Sequence, residues 1–425
     1  MNILIIGTGY VGTTTGLVFC EMGHKVTGLD LDHSKLESLR AGKLHFYEPG
    51  LEDLLRKHLH GENITFTPEY EKAIKENDVI FICVGTPQLH DGNADLSYVK
   101  NAAESIGENL DSYKVIVSKS TVPVGTSEMI QQWIKAKLKG EFTFDVVSNP
   151  EFLREGSALK DALKPDRIVI GTSSQKANGI MKNLYKNFIC EIVETTPNTS
   201  EMIKYAANSF LALKISYINE LARLCDVLDI KIKDISRGIG LDHRIGLNFL
   251  NAGIGFGGSC FPKDVNALIK TSKDKQVNLS ILERALEVNK TQTDFFYQQI
   301  RNSIGNLNGK TIVIAGLAFK SNTDDIRQSP SFALIENLLK DKAIVHVHDP
   351  VVKLERPELK QFNTVEEAAY QADALIICTE WDVYQQLNWM KIKTLMRQPY
   401  IFDGRNILDK EIIKNLGFYY KGVSQ

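Results

Sequence analysis

The segment Gly255 to Asp264, GFGGSCFPKD, sets a cysteine between a glycine-rich stretch and a proline that suits the first turn of a helix. The residues after it have helical apolar spacing, so Cys260 is predicted at or near a helix N-terminus. The helix dipole favours negative charge there and Lys263 adds a cation, so this thiol should ionise readily and act as a nucleophile. Asp264, one turn further on, is either a base or an ordinary first-turn acid. A buried structural cysteine is the alternative interpretation.

Two further pairs of polar residues have a spacing that could assist such a nucleophile. Lys204 and Asn208 are four residues apart on a predicted long helix, so they share a face and can address one oxygen together. Glu151 and Glu155 are also four residues apart. If the segment 149–158 is helical, they share a face and could act as a base or position water. The ordinary interpretation is a solvated Lys and Asn, and surface acids at a helix start.

The first 32 residues indicate how a cofactor would be brought to these groups. An apolar strand (2–6) is followed by a glycine loop, an amphipathic helix and a second strand that ends at Asp30. This order is typical of a dinucleotide-binding βαβ unit, in which Gly7 makes the tight turn, Gly9 admits the pyrophosphate and Gly12 lets helix and strand pack. A carboxylate at Asp30 binds ribose hydroxyls and repels a 2′-phosphate, which favours NAD over NADP.

Composition is that of a globular enzyme. The chain has 425 residues, 43% hydrophobic and 24% charged, with a net charge of −2, which suggests two or three domains. The near-neutral balance argues against binding to nucleic acid or to a membrane surface. No signal peptide and no membrane span is recognisable, so we expect a cytoplasmic protein. The six scattered cysteines indicate neither disulfides nor a structural metal.

Strand-like and helical runs alternate along most of the chain, which predicts parallel sheets covered by helices on both faces. Ligands of such sheets bind at the carboxyl ends of the strands, where Thr86, Thr121 and Glu151 lie. A long helix begins near residue 200, and a second α/β pattern without a glycine fingerprint begins near 309. The predicted fold is therefore α/β, with two Rossmann-like doubly wound parallel-sheet domains joined by a long central helix.

Many unusual strings occur in one order along nearly the full chain. They are GTGYVG with Asp30, FYEPGL (46–51), VGTP, STVPVGT, NPEFLREG, the helix of Lys204 and Asn208, GLDHRIG (240–246), GFGGSCFPKD and GLAFKSNTDDIR (316–327). In these strings the chain resembles the UDP-glucose/GDP-mannose dehydrogenase family. The resemblance implies an NAD-binding domain (1–199), a central region of long helix, dimerisation and catalytic cysteine (200–308), and a nucleotide-sugar-binding domain (309–425).

The resemblance also implies a reaction, the NAD-dependent four-electron oxidation of a nucleotide sugar's primary alcohol to a carboxylate, in a homodimer built around the long helix. Cys260 would capture the aldehyde as a thiohemiacetal, which is then oxidised to a thioester and hydrolysed. Lys204 and Asn208 would stabilise the oxyanion. Glu151, Asp264 and Thr121 would hold or activate water, with Glu151 the first choice of base for hydrolysis.

The binding residues that the resemblance implies form two sets. The NAD set is Gly7, Gly9, Tyr10, Val11, Gly12, Asp30, Lys35, Thr86, Thr121, Glu155, Lys263 and Arg327. The nucleotide-sugar set is Glu151, Phe152, Leu153, Arg154, Lys204, Asn208, Phe249, Gly257, Phe319 and Lys320, with Arg244 from the partner subunit. The aromatic residues in the second set could equally belong to a hydrophobic core. Lys320 follows a strand end, where a diphosphate needs cations.

Several alternatives remain open at this point. Ser259 before the cysteine resembles the branch of the family that acts on UDP-glucose, whereas GDP-mannose or a UDP-N-acetylhexosamine is the alternative substrate. Asn251 stands where some relatives carry a basic residue, which leaves the sugar or phosphate contacts open. A two-electron hydroxyacid dehydrogenase would share the NAD half, and a catalytically silent NAD-binding module is the alternative from another class.

Overall fold

The computed structural model describes residues 1–425, and the chain divides into two compact units. The first comprises Met1–Ala207 with Asn266–Asp274, and the second comprises Asn208–Val265 with Lys275–Gln425. Each unit contains one sheet built from consecutive βα segments. The predicted fold class is confirmed, whereas the three domain boundaries drawn from the sequence stay predictions.

The first unit is built on an eight-stranded sheet in the order β3-β2-β1-β4-β5-β6-β7-β8. All neighbouring pairs are parallel except β6 and β7, which meet in antiparallel fashion at Ser148 and Gly171. The expectation of a wholly parallel sheet is therefore wrong at this one pair. The strands are β1 (Asn2–Ile6), β2 (Lys25–Leu29), β3 (Ile64–Thr67), β4 (Val79–Ile82), β5 (Lys114–Ser118), β6 (Phe144–Ser148), β7 (Arg167–Gly171) and β8 (Glu191–Thr195).

Helices cover both faces of this sheet, and β1 is accordingly apolar from Ile3 to Ile6, with alternate residues in two different cores. Ile3 and Ile5 belong to one cluster of buried side chains, and Leu4 and Ile6 belong to another. Strands buried on both faces read as continuous apolar runs. The helices of this part of the chain are α1 (Tyr10–Glu21), α2 (His33–Arg40), α3 (Leu51–His60), α4 (Tyr70–Glu76), α5 (Ser97–Asn109), α6 (Thr126–Lys137), α7 (Ala158–Leu163) and α8 (Gln175–Leu184).

The predicted long helix is α9, which runs from Pro197 to Leu228 without a break. Its 32 residues correspond to about 48 Å of helix. Within the first unit, the buried carboxylate of Glu201 accepts hydrogen bonds from the backbone N–H groups of Gly125 and Ser127, at 2.6 and 2.8 Å. Since these groups lie at the start of α6, Glu201 supplies the negative charge that a helix N-terminus favours.

The second unit contains a six-stranded sheet, entirely parallel, in the order β11-β10-β9-β12-β13-β14. The α/β pattern predicted from about residue 309 onward is confirmed. The strands are β9 (Thr311–Ala315), β10 (Ile344–His348), β11 (Lys360–Gln361), β12 (Ala374–Ile377), β13 (Tyr400–Asp403) and β14 (Tyr419–Gly422).

The remaining helices complete the chain, and none of the helices is both long and apolar enough to cross a membrane. They are α10 (Ile232–Gly240), α11 (Phe261–Asp274), α12 (Ser280–Ile304), α13 (Pro330–Lys340), α14 (Val365–Ala369), α15 (Asp382–Gln385), α16 (Trp389–Leu395) and α17 (Lys410–Asn415). Alternate residues of β9 again face two cores, with Ile312 and Ile314 in one and Val313 and Ala315 in the other. The second unit thus repeats the layered arrangement of the first.

Candidate active site

Cys260 directly precedes helix α11, as its sequence context predicts. The backbone carbonyl of Cys260 accepts the N–H of Asp264 at 2.8 Å, which makes the cysteine the residue that caps the helix. Its side chain is partly buried, and the Ser259 hydroxyl oxygen lies 3.6 Å from its sulfur. The positive end of α11 therefore adjoins a thiol, the arrangement that favours a thiolate.

Asp264, in the first turn of α11, is almost completely buried. Its carboxylate accepts a hydrogen bond from the side-chain amide of Asn208 at 2.6 Å and forms an ion pair with Lys263, also at 2.6 Å. A buried carboxylate is tolerated only with such partners. The contact brings together two predicted catalytic residues that are 56 positions apart in the chain.

In the first unit, Lys204 and Glu151 form a buried ion pair with 2.9 Å between nitrogen and oxygen. Both side chains are less than a tenth exposed, so each compensates the other's loss of hydration. The second Glu151 oxygen accepts the backbone N–H of Leu153. Lys204 and Asn208 are one turn apart on α9. Lys204 pairs with the carboxylate of Glu151, and Asn208 donates to the carboxylate of Asp264.

The segment around Glu151 is not helical, which corrects the idea that Glu151 and Glu155 share a helix face. Residues 149–157 follow β6 as an irregular loop, and α7 begins only at Ala158. Within the loop, the Phe152 ring lies under the Arg167 guanidinium at 3.6 Å and within 5.4 Å of the Lys204 nitrogen. Phe152 therefore contacts cations of its own unit and is not simply a core residue.

Lys119 was not among the residues predicted from the sequence. It directly follows β5 and lies beside this ion pair. Its ammonium donates a hydrogen bond of 3.1 Å to the side-chain oxygen of Asn149. Burial, with a smaller contribution from the nearby Lys204 charge, lowers the pKa of Lys119 to about 8, while Cys83 and Glu151 oppose the shift. A lysine that ends the apolar run VIVS (115–118) was the signal available in the sequence.

The glycine loop fits a dinucleotide. Gly7 has φ +94°, and a Cβ on Gly12 would lie 1.9 Å from the Gly7 carbonyl oxygen, so the fold itself requires both glycines. A Cβ on Gly9 would meet nothing within 4 Å, so the protein alone does not explain that glycine, whereas an approaching pyrophosphate does. The backbone N–H and the hydroxyl of Thr8 donate to one carboxylate oxygen of Asp30 at 2.9 and 3.0 Å, which holds the Asp30 side chain in one orientation.

The other predicted NAD residues of the first unit lie at the carboxyl edge of its sheet or close to it. The Thr86 hydroxyl donates to the Thr121 carbonyl at 2.8 Å, so these two threonines are neighbours. Tyr10 and Val11 begin α1, and the Tyr10 hydroxyl donates to Glu48. Lys35 lies in α2 within 3.9 Å of Asp32, and Glu155 lies in the 149–157 loop.

In the second unit, several predicted residues surround the glycine-rich turn before Cys260. A Cβ on Gly257 would lie 2.2 Å from the Gln328 carbonyl oxygen, and one on Gly258 would lie 2.8 Å from the Phe319 ring. Both glycines are therefore required for close packing, and the role of Gly257 as a ligand contact stays a prediction. The Lys320 nitrogen is 5.5 Å from the Phe319 ring. Phe319 and Lys320 thus adjoin the cysteine turn.

The predicted arginines each contact an acidic residue, and Phe249 contacts another aromatic ring. Arg154 bonds Asp161, Arg244 bonds Asp242 and Arg327 bonds Asp325, each through two guanidinium nitrogens. Phe249 has φ +65° and packs on Phe261 with 6.0 Å between ring centroids. None of these contacts joins Arg244 to the cysteine turn, so its role stays a prediction.

Arg405 is a residue that the sequence analysis missed. Its guanidinium donates to the backbone carbonyls of Gly255, Phe319 and Cys378, at distances of 2.8 to 3.1 Å. It therefore joins the turn before Cys260 to the segment that carries Phe319 and to the end of β12. The available signal was an arginine directly after the apolar run YIFDG (400–404), at a strand end.

Comparison with known proteins decides the family. Models of the three domains of the UDP-glucose/GDP-mannose dehydrogenase family match residues 1–189 (NAD binding domain), 198–291 (central domain) and 313–410 (UDP binding domain). The chain belongs to this family. It is a dehydrogenase whose cofactor is NAD, and the glycine loop and Asp30 fit that cofactor.

Members of this family are similar to the chain over its whole length. UDP-glucose 6-dehydrogenase TuaD of Bacillus subtilis is 44% identical over 429 residues, with 100% of the chain and 93% of the relative covered. The UDP-glucose 6-dehydrogenase of Rickettsia prowazekii is 42% identical over 433 residues, covering 100% and 99%. A solved UDP-glucose dehydrogenase from Pyrobaculum islandicum is 38% identical with a TM-score of 0.93, covering 100% and 97%.

Proposed function

We propose that the protein oxidises UDP-glucose to UDP-glucuronate in an NAD-dependent four-electron reaction with covalent intermediates on Cys260. The observation that carries the proposal is the position of Cys260 as the cap of α11, one turn before the Asp264, Asn208 and Lys263 cluster. The names of full-length relatives at 42 to 44% identity support UDP-glucose as the substrate. NAD, when bound, accepts a hydride in each of the two oxidations.

The first task of the chain is to stabilise the sugar's hydroxyl oxygen while its proton passes to water held by Glu151, Asp264 and Thr121 and the carbon becomes an aldehyde. Lys204 can assist this step, because its ammonium stabilises the negative charge that develops on the alkoxide oxygen at short range. The pair with Glu151 at 2.9 Å holds the ammonium in place. Asn208 adds an amide donor one turn further along α9, oriented through its bond to Asp264.

The second task is to retain the aldehyde. The Cys260 thiolate adds to the aldehyde carbon, a C–S bond forms, and the oxygen takes up a proton to give a thiohemiacetal. This intermediate still carries a C–H bond, so loss of a second hydride and of the hydroxyl proton leaves a thioester. A thiol is needed because it supplies both a strong nucleophile and a good leaving group.

The third task is hydrolysis of the thioester, in which water adds to the acyl carbon and the C–S bond breaks. Glu151 is our choice of base, since a carboxylate can accept a proton from water when the substrate is in place. Its buried position beside Lys204 and the Leu153 N–H holds the carboxylate in one orientation. The products are the sugar acid and the regenerated thiol.

We further propose that the protein is a homodimer formed through α9. Phe210, Tyr217 and Leu224 follow one another at intervals of seven residues, so they lie on one helix face, and they are 61%, 50% and 54% exposed. Apolar side chains this exposed on one helix face are suited to a second copy of the same face. Leu224→Glu should then give monomers in analytical ultracentrifugation.

The proposal also places the protein in the cytoplasm, where NAD and nucleotide sugars are available.

The function is tested by measuring NADH formation with a panel of UDP- and GDP-sugars, followed by the ratio of NADH formed to substrate consumed. The proposal predicts activity with UDP-glucose and two NADH for each molecule consumed. One NADH per substrate would mean a two-electron dehydrogenase. Preference for GDP-mannose or a UDP-N-acetylhexosamine would overturn the substrate assignment and leave the chemistry in place.

A further inference from the structure

Glu48, in the string FYEPGL (46–51), is a buried carboxylate that the proposed chemistry does not use. Only 5% of the residue is exposed. Its carboxylate accepts hydrogen bonds from the Tyr10 hydroxyl, from the backbone N–H of Gly156 at 2.7 Å and from that of Leu159 at 3.2 Å. A buried carboxylate with three donors is a stable arrangement, whereas losing the acceptor would leave buried donors without partners.

One of these donors belongs to the dinucleotide loop. Tyr10 is the first residue of α1 and directly follows Gly9, which caps that helix. Burial, together with the hydrogen bond to Glu48 and its charge, raises the pKa of Tyr10 well above its ordinary value, so the hydroxyl keeps its proton and donates it. The Tyr10 ring also packs against Phe46 with 4.8 Å between centroids. Segment 46–48 thus holds Tyr10 by a ring contact and a hydrogen bond.

The other two donors belong to the 149–157 loop and the first turn after it. The loop forms no helix or strand, and only its two ends, Asn149 and Ser157, donate to backbone carbonyls. Side-chain acceptors bind N–H groups between them. Asp161 accepts the N–H of Arg154 at 3.1 Å, and Glu48 accepts the N–H of Gly156, which also donates to the Tyr10 hydroxyl at 3.0 Å. Gly156 has φ +78°, a left-handed conformation that favours glycine, and in this turn its N–H is directed at Glu48.

We propose that Glu48 is a positioning residue that fixes the dinucleotide loop and the 149–157 loop relative to each other, and so sets the NAD and nucleotide-sugar sites as one unit. The inference rests on the proposed function, because it takes Glu151 to Arg154 as the sugar-binding side of the loop. All the residues that carry it lie within the first compact unit. One carboxylate thus serves two binding sites.

The test is a double-mutant cycle between Tyr10→Phe and Glu48→Gln, with Glu52→Gln as the matched control. Glu52 lies four residues further on, in the first turn of α3, and is partly exposed. The measurements are the Kd for NAD by calorimetry, KM for UDP-glucose, kcat per active site and the unfolding temperature. Glu48→Gln keeps the shape of the side chain but replaces one acceptor oxygen by an NH2 group, which cannot accept a hydrogen bond from an N–H or O–H donor.

We expect Glu48→Gln to raise both the NAD Kd and the UDP-glucose KM by about tenfold or more, the effect of losing one charged acceptor. Tyr10→Phe should raise the NAD Kd more than the UDP-glucose KM, because Gly156 loses only its longer bond to the Tyr10 hydroxyl and both loop donors stay bonded to Glu48. In the Tyr10→Phe background, Glu48→Gln should then raise the NAD Kd by a smaller factor than in the wild type, while its effect on the UDP-glucose KM should change much less. Glu52→Gln should match the wild type.

Three results would overturn the inference. The first is a Glu48→Gln protein with a lower unfolding temperature and fewer active sites but wild-type NAD Kd and UDP-glucose KM, which would mean a packing role only. The second is additive effects on the NAD Kd throughout the cycle. The third is a Tyr10→Phe protein, expected to fold in any case, whose NAD Kd is unchanged. Failure of the proposed function is distinct, since the wild type would then make no NADH from UDP-glucose.

Discussion

The side-chain amide of Asn208 donates a hydrogen bond of 2.6 Å to the buried carboxylate of Asp264, one helical turn after Cys260. Because Lys263 binds the other oxygen of the same carboxylate, Asp264 joins an ammonium and an amide beside the thiol. Asp264 is therefore placed to orient both groups. The finding gives a physical role to an acid that the sequence could equally present as ordinary helix-start charge.

Asp264→Asn should lower kcat about 100-fold, because an amide cannot pair with Lys263 and would offer N–H groups to Asn208. The unfolding temperature should also fall, since Lys263 would lose its buried partner. Steady-state kinetics with UDP-glucose and NAD give the measurement. Asp274→Asn, at the exposed end of the same helix where it pairs with Lys270, is the control. Equal kcat values for the two variants would contradict the role of Asp264.

Glu151→Gln should separate oxidation from hydrolysis. If Glu151 is the base, the variant forms the thioester but releases it about 100-fold more slowly. Stopped-flow absorbance should then show a burst of two NADH per active site followed by a slow phase. The exposed Glu141→Gln should show wild-type kinetics. A variant with no burst and a wild-type steady rate would show that another group activates the water.

Gly9→Ala and Gly12→Ala should have opposite consequences. A methyl group at Gly9 meets no protein atom, so the unfolding temperature should stay unchanged while the NAD Kd rises about tenfold or more, through contact with the pyrophosphate. A methyl group at Gly12 would overlap the Gly7 carbonyl, so that variant should unfold at a lower temperature. Calorimetry measures both quantities. An unstable Gly9→Ala protein would mean that the fold itself requires this glycine.

The Lys119 ammonium should make stability depend on pH. Its pKa is about 8 in the folded protein, below the ordinary 10.5, so between these values the unfolded chain binds more protons and wild-type stability rises with pH. Below pH 8 the folded state carries the full cost of the buried charge. Lys119→Met should therefore be more stable than the wild type at neutral pH, by about 2 kcal/mol after allowing about 1 kcal/mol for the lost bond to Asn149.

Chemical denaturation of both proteins at about pH 7 and at about pH 10 gives the comparison, because the advantage of Lys119→Met should shrink as the pH approaches the ordinary lysine value. The exposed Lys43→Met serves as the control, since its side chain is not buried. A stability difference between Lys119→Met and wild type that is the same at both pH values would contradict the assignment.

Local sequence patterns predicted the elements that place the chemistry. The strand, glycine loop and helix from Asn2 to Glu21 occur as expected, as does α9, because apolar periodicity and glycine spacing are properties of neighbouring residues. The same is true of Cys260 at the start of α11, where glycine and proline determine the local backbone.

Contacts between distant parts of the chain were not predictable in the same way. Glu48 meets Gly156 over 108 positions and Arg405 meets Gly255 over 150, and no local pattern reports such pairings. The loop after β6 was mistaken for a possible helix because Pro150 and two acids resemble a helix start. In the folded chain Glu151 bonds Lys204 and the Leu153 N–H instead, and these contacts take the place of helical ones.

The most direct test of the covalent mechanism is the mass of the protein during turnover. Glu151→Gln enzyme mixed with UDP-glucose and NAD, quenched in acid and digested, should yield the peptide that contains Cys260 with an added UDP-glucuronyl group, and Cys260→Ser/Glu151→Gln should yield none. An unmodified Cys260 peptide in enzyme that has already made two NADH per active site would contradict the account.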